Sequence, residues 1–277
     1  MSERPEVRRA LAEDKLFIAL DIDGTILHED GSVSQAVIDA VRAVEAEGHI
    51  VMLATGRSEA MTTSVAEQFD INPAYLISAN GAIVLERAGA GWNRVHVDTF
   101  NPEQVLRTIA SELPEGRFMV EDPEGFRRYT RGMIDWNLND AIEVPFERLW
   151  EVPATRVVVM SPDHELDDFL KIVESMGLKK VSYAIGFSSW LDIAPEGINK
   201  ATGLARVVEW LGVPRDRVVV MGDGRNDIDM FTWAIDGGGR AIAMGQAPEE
   251  VRSAANGSTG TVDEDGAAQF LRSLLAE

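Results

Sequence analysis

Residues Leu16 to Leu20, LFIAL, form an unbroken apolar run that stops on two acids, Asp21 and Asp23. A strand without polar alternation has no face to offer water. It belongs in a sheet covered by helices on both sides, the usual setting of parallel strands. The next segment meets that demand: Ser34 to Glu47 places Val37, Ile38, Val41 and Val44 at helical spacing and ends at Gly48. HIVMLATGR then repeats the strand, SEAMTTSVAEQF the helix, and AYLISANGA supplies a third strand. Up to Ala82 the chain therefore predicts a βαβαβ unit around a parallel sheet.

From about Val84 to Trp190 the rhythm changes. Short runs with aromatics (WNRVHVDTF, RFMVED, FRRYT, TRVVVMS, KVSYAIGF) are separated by two helical stretches, NPEQVLRTIASEL and DHELDDFLKIVESMG. That mixture predicts a smaller α+β unit. After Ile193 the first rhythm returns, with a helix over Lys200–Leu211, the strand RVVVMGDG, a helix over Asn226–Ala234 and the strand RAIAMG. The simplest organisation is a discontinuous α/β core, residues 1–84 and 191–277, with residues 85–190 inserted as a second domain. The first dozen residues read as a charged tail.

Composition removes several functions. With no cysteine among 277 residues there is no disulfide, thiolate zinc site or cysteine nucleophile, which fits a reducing compartment. A net charge of −20 without a clustered Lys/Arg stripe argues against nucleic acid as a partner. No window approaches the ~20 apolar residues of a membrane span, and the N-terminus has no signal-peptide core. A cytoplasmic protein with no membrane partner is expected. The four histidines, His28, His49, His96 and His164, lack ligand spacing, so zinc is not expected. His28 alone lies near a motif.

Acids at the end of a buried strand need a reason. Side chains at i and i+2 of a strand share a face, so Asp21 and Asp23 are expected to look together into the crevice at the strand's carboxyl end, where open parallel sheets bind ligands. A hard cation would relieve their repulsion, and Mg²⁺ prefers a few carboxylate oxygens with water and phosphate oxygens. An Asx turn that merely punctuates the chain accounts for DIDGT equally well. Three more segments repeat the placement. ATGR puts Thr55, Gly56 and Arg57 at a strand end before a helix, where a hydroxyl and backbone N–H groups can hold an anion. PEGINK opens a helix with Lys200, a site the helix dipole disfavours for a bare surface charge. VVVMGDGRNDIDM ends a buried strand on Asp223 and begins a helix with Asn226 and Asp227. The inserted segment adds Arg127, Arg128, Tyr129, Arg131 and Trp136, either contacts for a sugar or second phosphate or an exposed strand. Gly237–Gly239 lack the phosphate-loop pattern and read as a turn.

Taken together, DIDGT, ATGR, PEGINK and GDGRNDIDM resemble, in order and spacing, the haloacid dehalogenase superfamily of phosphohydrolases, in particular its Cof-type branch with a large inserted cap. The resemblance runs from about Lys15 to Leu275, with Gln246 standing where Asn is usual. It implies a doubly wound, mostly parallel, Rossmann-like core with an α+β cap. It also implies roles: Asp21 as nucleophile forming an aspartyl-phosphate, and Asp23 as general acid and base. Mg²⁺ would be held by Asp21, the backbone carbonyl of Asp23 and Asp223, with Asp227 ordering the metal's waters or Lys200. The phosphoryl oxygens would be gripped by Thr55, Lys200, Asn226 and the N–H groups of Ile22 and Gly56. The implied activity is a Mg²⁺-dependent phosphatase of small phosphorylated metabolites, sugar phosphates favoured, acting as a monomer or homodimer. A phosphosugar mutase of the same superfamily is the alternative, and a receiver-like phospho-accepting signalling module the alternative from another class.

Overall fold

The computed structural model describes residues 15–69, 73–133, 141–178, 181–185 and 189–275. The first half runs β1 (Phe17–Leu20), α1 (Gln35–Ala46), β2 (Ile50–Leu53), α2 (Glu59–Phe69), β3 (Tyr75–Ser78), β4 (Ile83–Ala88) and β5 (Gly91–Val97). It continues through α3 (Glu103–Glu112), β6 (Arg117–Glu121), β7 (Arg127–Tyr129), β8 (Ala141–Glu143), β9 (Arg156–Met160), α4 (Leu166–Met176), β10 (Val181–Ile185) and β11 (Trp190–Pro195). The last part is α5 (Lys200–Leu211), β12 (Val218–Gly222), α6 (Ile228–Asp236), β13 (Arg240–Ala243), α7 (Glu249–Ala254), β14 (Gly257–Ser258) and α8 (Gly266–Ser273).

The apolar run that opens the chain lies in the middle of the molecule. β1 pairs in parallel with β12 on one side and β2 on the other, in a five-stranded sheet of order β14-β13-β12-β1-β2. Its four residues are completely buried because both faces are covered. Ile18 and Leu20 pack with α1 and α8, whereas Phe17 and Ala19 pack with α5 and α6. This is a doubly wound α/β sheet, as the unbroken run demands. α1 starts where Ser34 accepts a hydrogen bond from the Val37 amide, an N-cap that fixes the first turn after the β1 loop.

β3 departs from the expected parallel ladder. A single parallel bridge, Ala54 to Ile77, ties it to the β2 end, and its full pairing is antiparallel to β4 and through it to β5. The β4–β5 strands, which the sequence suggests for the insertion, pack Val84, Leu85, Trp92 and Val95 against the two core clusters. A second sheet of six strands, in the order β10-β11-β9-β6-β7-β8, is covered on one face by α3 and α4. β11, suggested as core from Leu191 onward, pairs instead with β9 and β10 in that sheet. Periodicity registers strand existence but not partner choice, and partner choice is what separates the two sheets. The charged tail read in the first dozen residues lies outside the described residues, as does Trp136. Among the described residues, no helix is long and apolar enough to cross a membrane.

Candidate active site

In a parallel sheet all strands finish at the same edge, so register alone gathers the motifs. Leu20 is level with Met221 on β12 and with Leu53 on β2. Asp21, Thr55 and Asp223 are thus the first or second residues beyond three adjacent strand ends. Asp21 continues the ladder, its amide donating to the Met221 carbonyl at 2.9 Å. Lys200 enters from the start of α5, which is fixed by a reciprocal cap between Asn199 and Thr202.

The centre of the site is an ammonium between two acids. Lys200 Nζ donates to Asp21 Oδ1 at 2.5 Å and to Asp227 Oδ1 at 2.7 Å, with both the lysine and Asp227 fully buried. Burial alone would pull the lysine pKa down, but the two carboxylates outweigh it and hold Lys200 above its ordinary range. The other oxygen of Asp227 accepts from the amides of Asp223 (3.0 Å) and Gly224 (2.9 Å), which clamps the loop after β12. This close packing requires Gly222, since a Cβ there would sit 2.3 Å from Asp227 Cγ. Asp21 Oδ2 accepts from the Thr25 hydroxyl at 3.4 Å, the long end of such a contact.

One oxygen each of Asp21, Asp223 and Asp227 lie within 4.8 Å of one another, all three residues buried. Three carboxylates face one ammonium there, and Asp223 Oδ1 is buried with no hydrogen-bond partner. Burial pushes Asp21 up to about 7, against the pull of Lys200, and Asp223 up to about 8, with Asp21 and Asp227 adding to the rise. Such a donor set, all hard oxygen and short of positive charge, fits a small divalent cation.

Asp23 stays within electrostatic reach of Asp21 but outside the group of three acids. β1 ends at Leu20 and the chain turns at once, with the amides of Ile26 and Leu27 donating to the Ile22 carbonyl. The Asp23 carboxylate is exposed and gripped by Arg57, with Nε 2.9 Å from Oδ2 and Nη2 2.5 Å from Oδ1. Ile22 is buried beneath this turn. Thr55 is buried, its hydroxyl accepting from the Arg57 amide at 3.1 Å.

Sequence reading gives no site role to three residues the structure brings here, Arg57, Gln246 and Asn80. Arg57 holds Asp23. Gln246 Nε2 donates to the Gly24 carbonyl at 2.5 Å and to Asp223 Oδ2 at 3.1 Å, so the residue that departs from the family pattern still binds both acidic loops. Asn80 accepts from Asn226 Nδ2 at 3.0 Å, and it does so from a left-handed backbone, φ 51°, shared with Ala79 at φ 49°. Its Asn-Gly dipeptide is the signal that was available. A cavity of about 180 Å³ opens beside Lys200, lined by Asn80, Asn199 and Asn226 of the core and by Ser182 and Asp192 of the six-stranded sheet. His28 turns away to Asp263, at 3.2 Å. In the inserted segment Arg127 is buried and Arg128 pairs with Asp122 at 3.0 Å, so the first two of that run are not an exposed strand.

The model of the haloacid dehalogenase-like hydrolases matches residues 18–271. The chain belongs to that family. Curated relatives of this hydrolase include two from Bacillus subtilis, both named 5-amino-6-(5-phospho-D-ribitylamino)uracil phosphatase. YitU is 26% identical over 94% of this chain and 97% of its own, and YcsE 28% identical over 94% and 95%. Among solved structures, the subclass IIB sugar phosphatase BT4131 has a TM-score of 0.78 at 21% identity, covering 95% of this chain and all of the other. That likeness shows the fold: a parallel core sheet with a second, mixed sheet. The expected phosphatase-type hydrolase holds at the level of the family match and of the phosphatase relatives.

Proposed function

We propose that this hydrolase is a Mg²⁺-dependent phosphatase of small phosphorylated metabolites, with sugar phosphates favoured, working through an aspartyl-phosphate on Asp21. The observation that carries the reading is Asp21 itself. It is a buried carboxylate paired with Lys200, a residue of the cavity lining, and it stands beside Asp227, which shares that one ammonium, and Asp223, one of whose buried oxygens has no hydrogen-bond partner. Two relatives are named for a phosphorylated ribityl compound, which supports a hydroxyl-rich substrate.

Asp21, Asp223 and Asp227 would hold the cation, which supplies charge neutralisation between an anionic nucleophile and an anionic phosphoryl group. The chain does the rest. Lys200 keeps Asp21 in one rotamer and lends positive charge to the phosphoryl oxygens, with Thr55, Asn226 and the Ile22 and Gly56 amides as further donors. An Asp21 oxygen bonds to phosphorus while the bond from phosphorus to the leaving oxygen breaks, and that oxygen takes a proton from Asp23. Water then attacks phosphorus and gives a proton back to Asp23, the bond to Asp21 breaks, and phosphate departs. The guanidinium of Arg57 takes one lone-pair direction on each Asp23 oxygen and disfavours the protonated form by its charge, while the remaining directions stay open to a proton.

A panel of phosphate esters assayed for phosphate release with and without Mg²⁺ tests the proposal. Asp21→Asn should lose all turnover, and full activity in that variant would remove the nucleophile. Conversion of a hexose 1-phosphate to an isomer without free phosphate would replace hydrolase by mutase.

A further inference from the structure

The core supplies one wall of the cavity beside Lys200 and the six-stranded sheet supplies the other, through β10 and β11. On β11 the side chains alternate. Leu191 and Ile193 enter the apolar cluster under α3 and α4, and Trp190, Asp192 and Ala194 take the opposite face. Among the described residues Asp192 is the acid that this wall places in the cavity, and it is held at both oxygens. Arg156 Nε and Nη2 each lie 2.7 Å from Oδ1, and Trp190 Nε1 donates to Oδ2 at 2.9 Å. The Arg156 side chain is only 9% exposed and that of Asp192 only 17%. A buried ion pair gains little stability over an apolar pair of the same volume. What this one does achieve is a single orientation for a carboxylate beside the reacting groups.

We propose that Asp192 is a specificity-determining residue that accepts a hydrogen bond from a hydroxyl of the leaving group and turns away leaving groups bearing a second anion. This rests on the phosphatase reading above. A carboxylate has about four lone-pair directions and no donor, so with two or three taken by Arg156 and Trp190 the remainder select an O–H or N–H. The rest of the cavity agrees. Asp229 adds a second carboxylate to the lining, the amide oxygens of Asn80 and Asn199 accept from Asn226 and from the Thr202 amide, and among the described residues the guanidinium of the lining, Arg225, is ion-paired to Glu250 at 2.5 Å. A second phosphate would meet two carboxylates and an arginine already engaged. Arg156 acts through Asp192 and is a positioning residue.

The test compares kcat/KM for three esters: sorbitol 6-phosphate, phenyl phosphate and fructose 1,6-bisphosphate. Asp192→Asn keeps shape and the contact to Arg156 but replaces one acceptor by a donor. It should raise KM for sorbitol 6-phosphate about tenfold, leave kcat nearly constant, leave phenyl phosphate within about twofold, and narrow the preference for sorbitol 6-phosphate over the bisphosphate about tenfold. Arg156→Lys should repeat the pattern more weakly. An equal loss on all three esters, or no change in the preferences, overturns the assignment. If the unaltered enzyme releases phosphate from none of them with Mg²⁺ present, the phosphatase reading fails and takes this proposal with it. Activity on phenyl phosphate alone would sink only the role of Asp192.

Discussion

Lys200 Nζ and Asp21 Oδ1 stand 2.5 Å apart across 179 positions of sequence, and the same ammonium reaches Asp227 at 2.7 Å. Nothing else buried among the described residues of this site carries positive charge toward these acids. Lys200→Ala would strand two buried carboxylates, a loss of about 3–5 kcal/mol in the metal-free protein. The cost should shrink in acid, where the carboxylates take protons instead. Urea unfolding at neutral and mildly acidic pH measures both effects. An unchanged midpoint would mean that the pair is not buried in solution.

Protonation and metal binding compete at Asp223 and Asp21. Burial raises them to about 8 and about 7, from an ordinary value of 3.8 in the unfolded chain. A carboxyl whose folded pKa lies above its unfolded one binds protons more tightly when folded. The stability it contributes is complete below about pH 4 and is lost as pH rises through 7 to 8. Metal-free protein should therefore melt at progressively lower temperature between about pH 5 and 8.5, more steeply than Asp223→Asn. A cation held by the ionised acids reverses the trend, so the rise in melting temperature on adding Mg²⁺ should be larger at about pH 8.5 than at about pH 6. Equal Mg²⁺ shifts at the two values would remove the acids as its ligands.

The site was legible in the sequence to the extent that it depends on strand ends. LFIAL, HIVML and VVVMG mark themselves as buried parallel strands, and parallel strands finish together, so Asp21, Thr55 and Asp223 had to be neighbours. The grip of Arg57 on Asp23 was not legible, because it joins two loops whose turns are set by backbone hydrogen bonds, such as those to the Ile22 carbonyl, rather than by any sequence period. Asn80 and Gln246 were missed for a related reason: their value lies in contacts made across the fold, to Asn226 and to Gly24 and Asp223. Sheet membership of β5 and β11 was misjudged because alternation identifies a strand without identifying its partner.

Asp23 and Asp21 should separate folding from turnover. Asp23 is exposed, and its pair with Arg57 has the side chain 56% open to water, so removing it costs within about 1 kcal/mol. Asp23→Ala should fold and bind Mg²⁺ normally while turning over about 10²–10⁴-fold more slowly, the usual share of general acid–base catalysis. Intact-mass spectrometry after mixing with a substrate that has a good leaving group should show a phosphoryl adduct outlasting that of the unaltered enzyme. Unimpaired turnover would leave Asp23 without a role.

Gly24 packs directly against the Asp223 carboxylate of the other acidic loop. Its φ of +71° is strained for any other residue, and a Cβ there would stand 2.0 Å from Asp223 Oδ2. Gly24→Ala combines a backbone cost of about 1–2 kcal/mol with displacement of an acid proposed to hold the cation. Mg²⁺ affinity measured by calorimetry should fall about tenfold or more. A variant that lost stability but kept its affinity would show that Asp223 tolerates movement.

Asn80 joins strain to contact, and three substitutions separate them. Two adjacent non-glycine residues in the left-handed region, Ala79 at 49° and Asn80 at 51°, are uncommon and persist only where the surroundings impose them. Here the Ala79 amide donates to the Arg57 carbonyl and the Asn80 amide to the Thr55 carbonyl, so the turn is nailed to the ATGR loop. Asn80 then reaches over to Asn226. Asn tolerates this backbone, Gly adopts it freely, and Ala resists it by about 1–2 kcal/mol. Asn80→Gly should therefore keep the melting temperature near that of the unaltered protein while losing activity, because the contact to Asn226 is gone. Asn80→Ala should lose both, and Asn80→Asp, which still accepts from Asn226, should recover part of the activity lost in the glycine variant. Full activity in Asn80→Gly would make the turn a matter of folding alone.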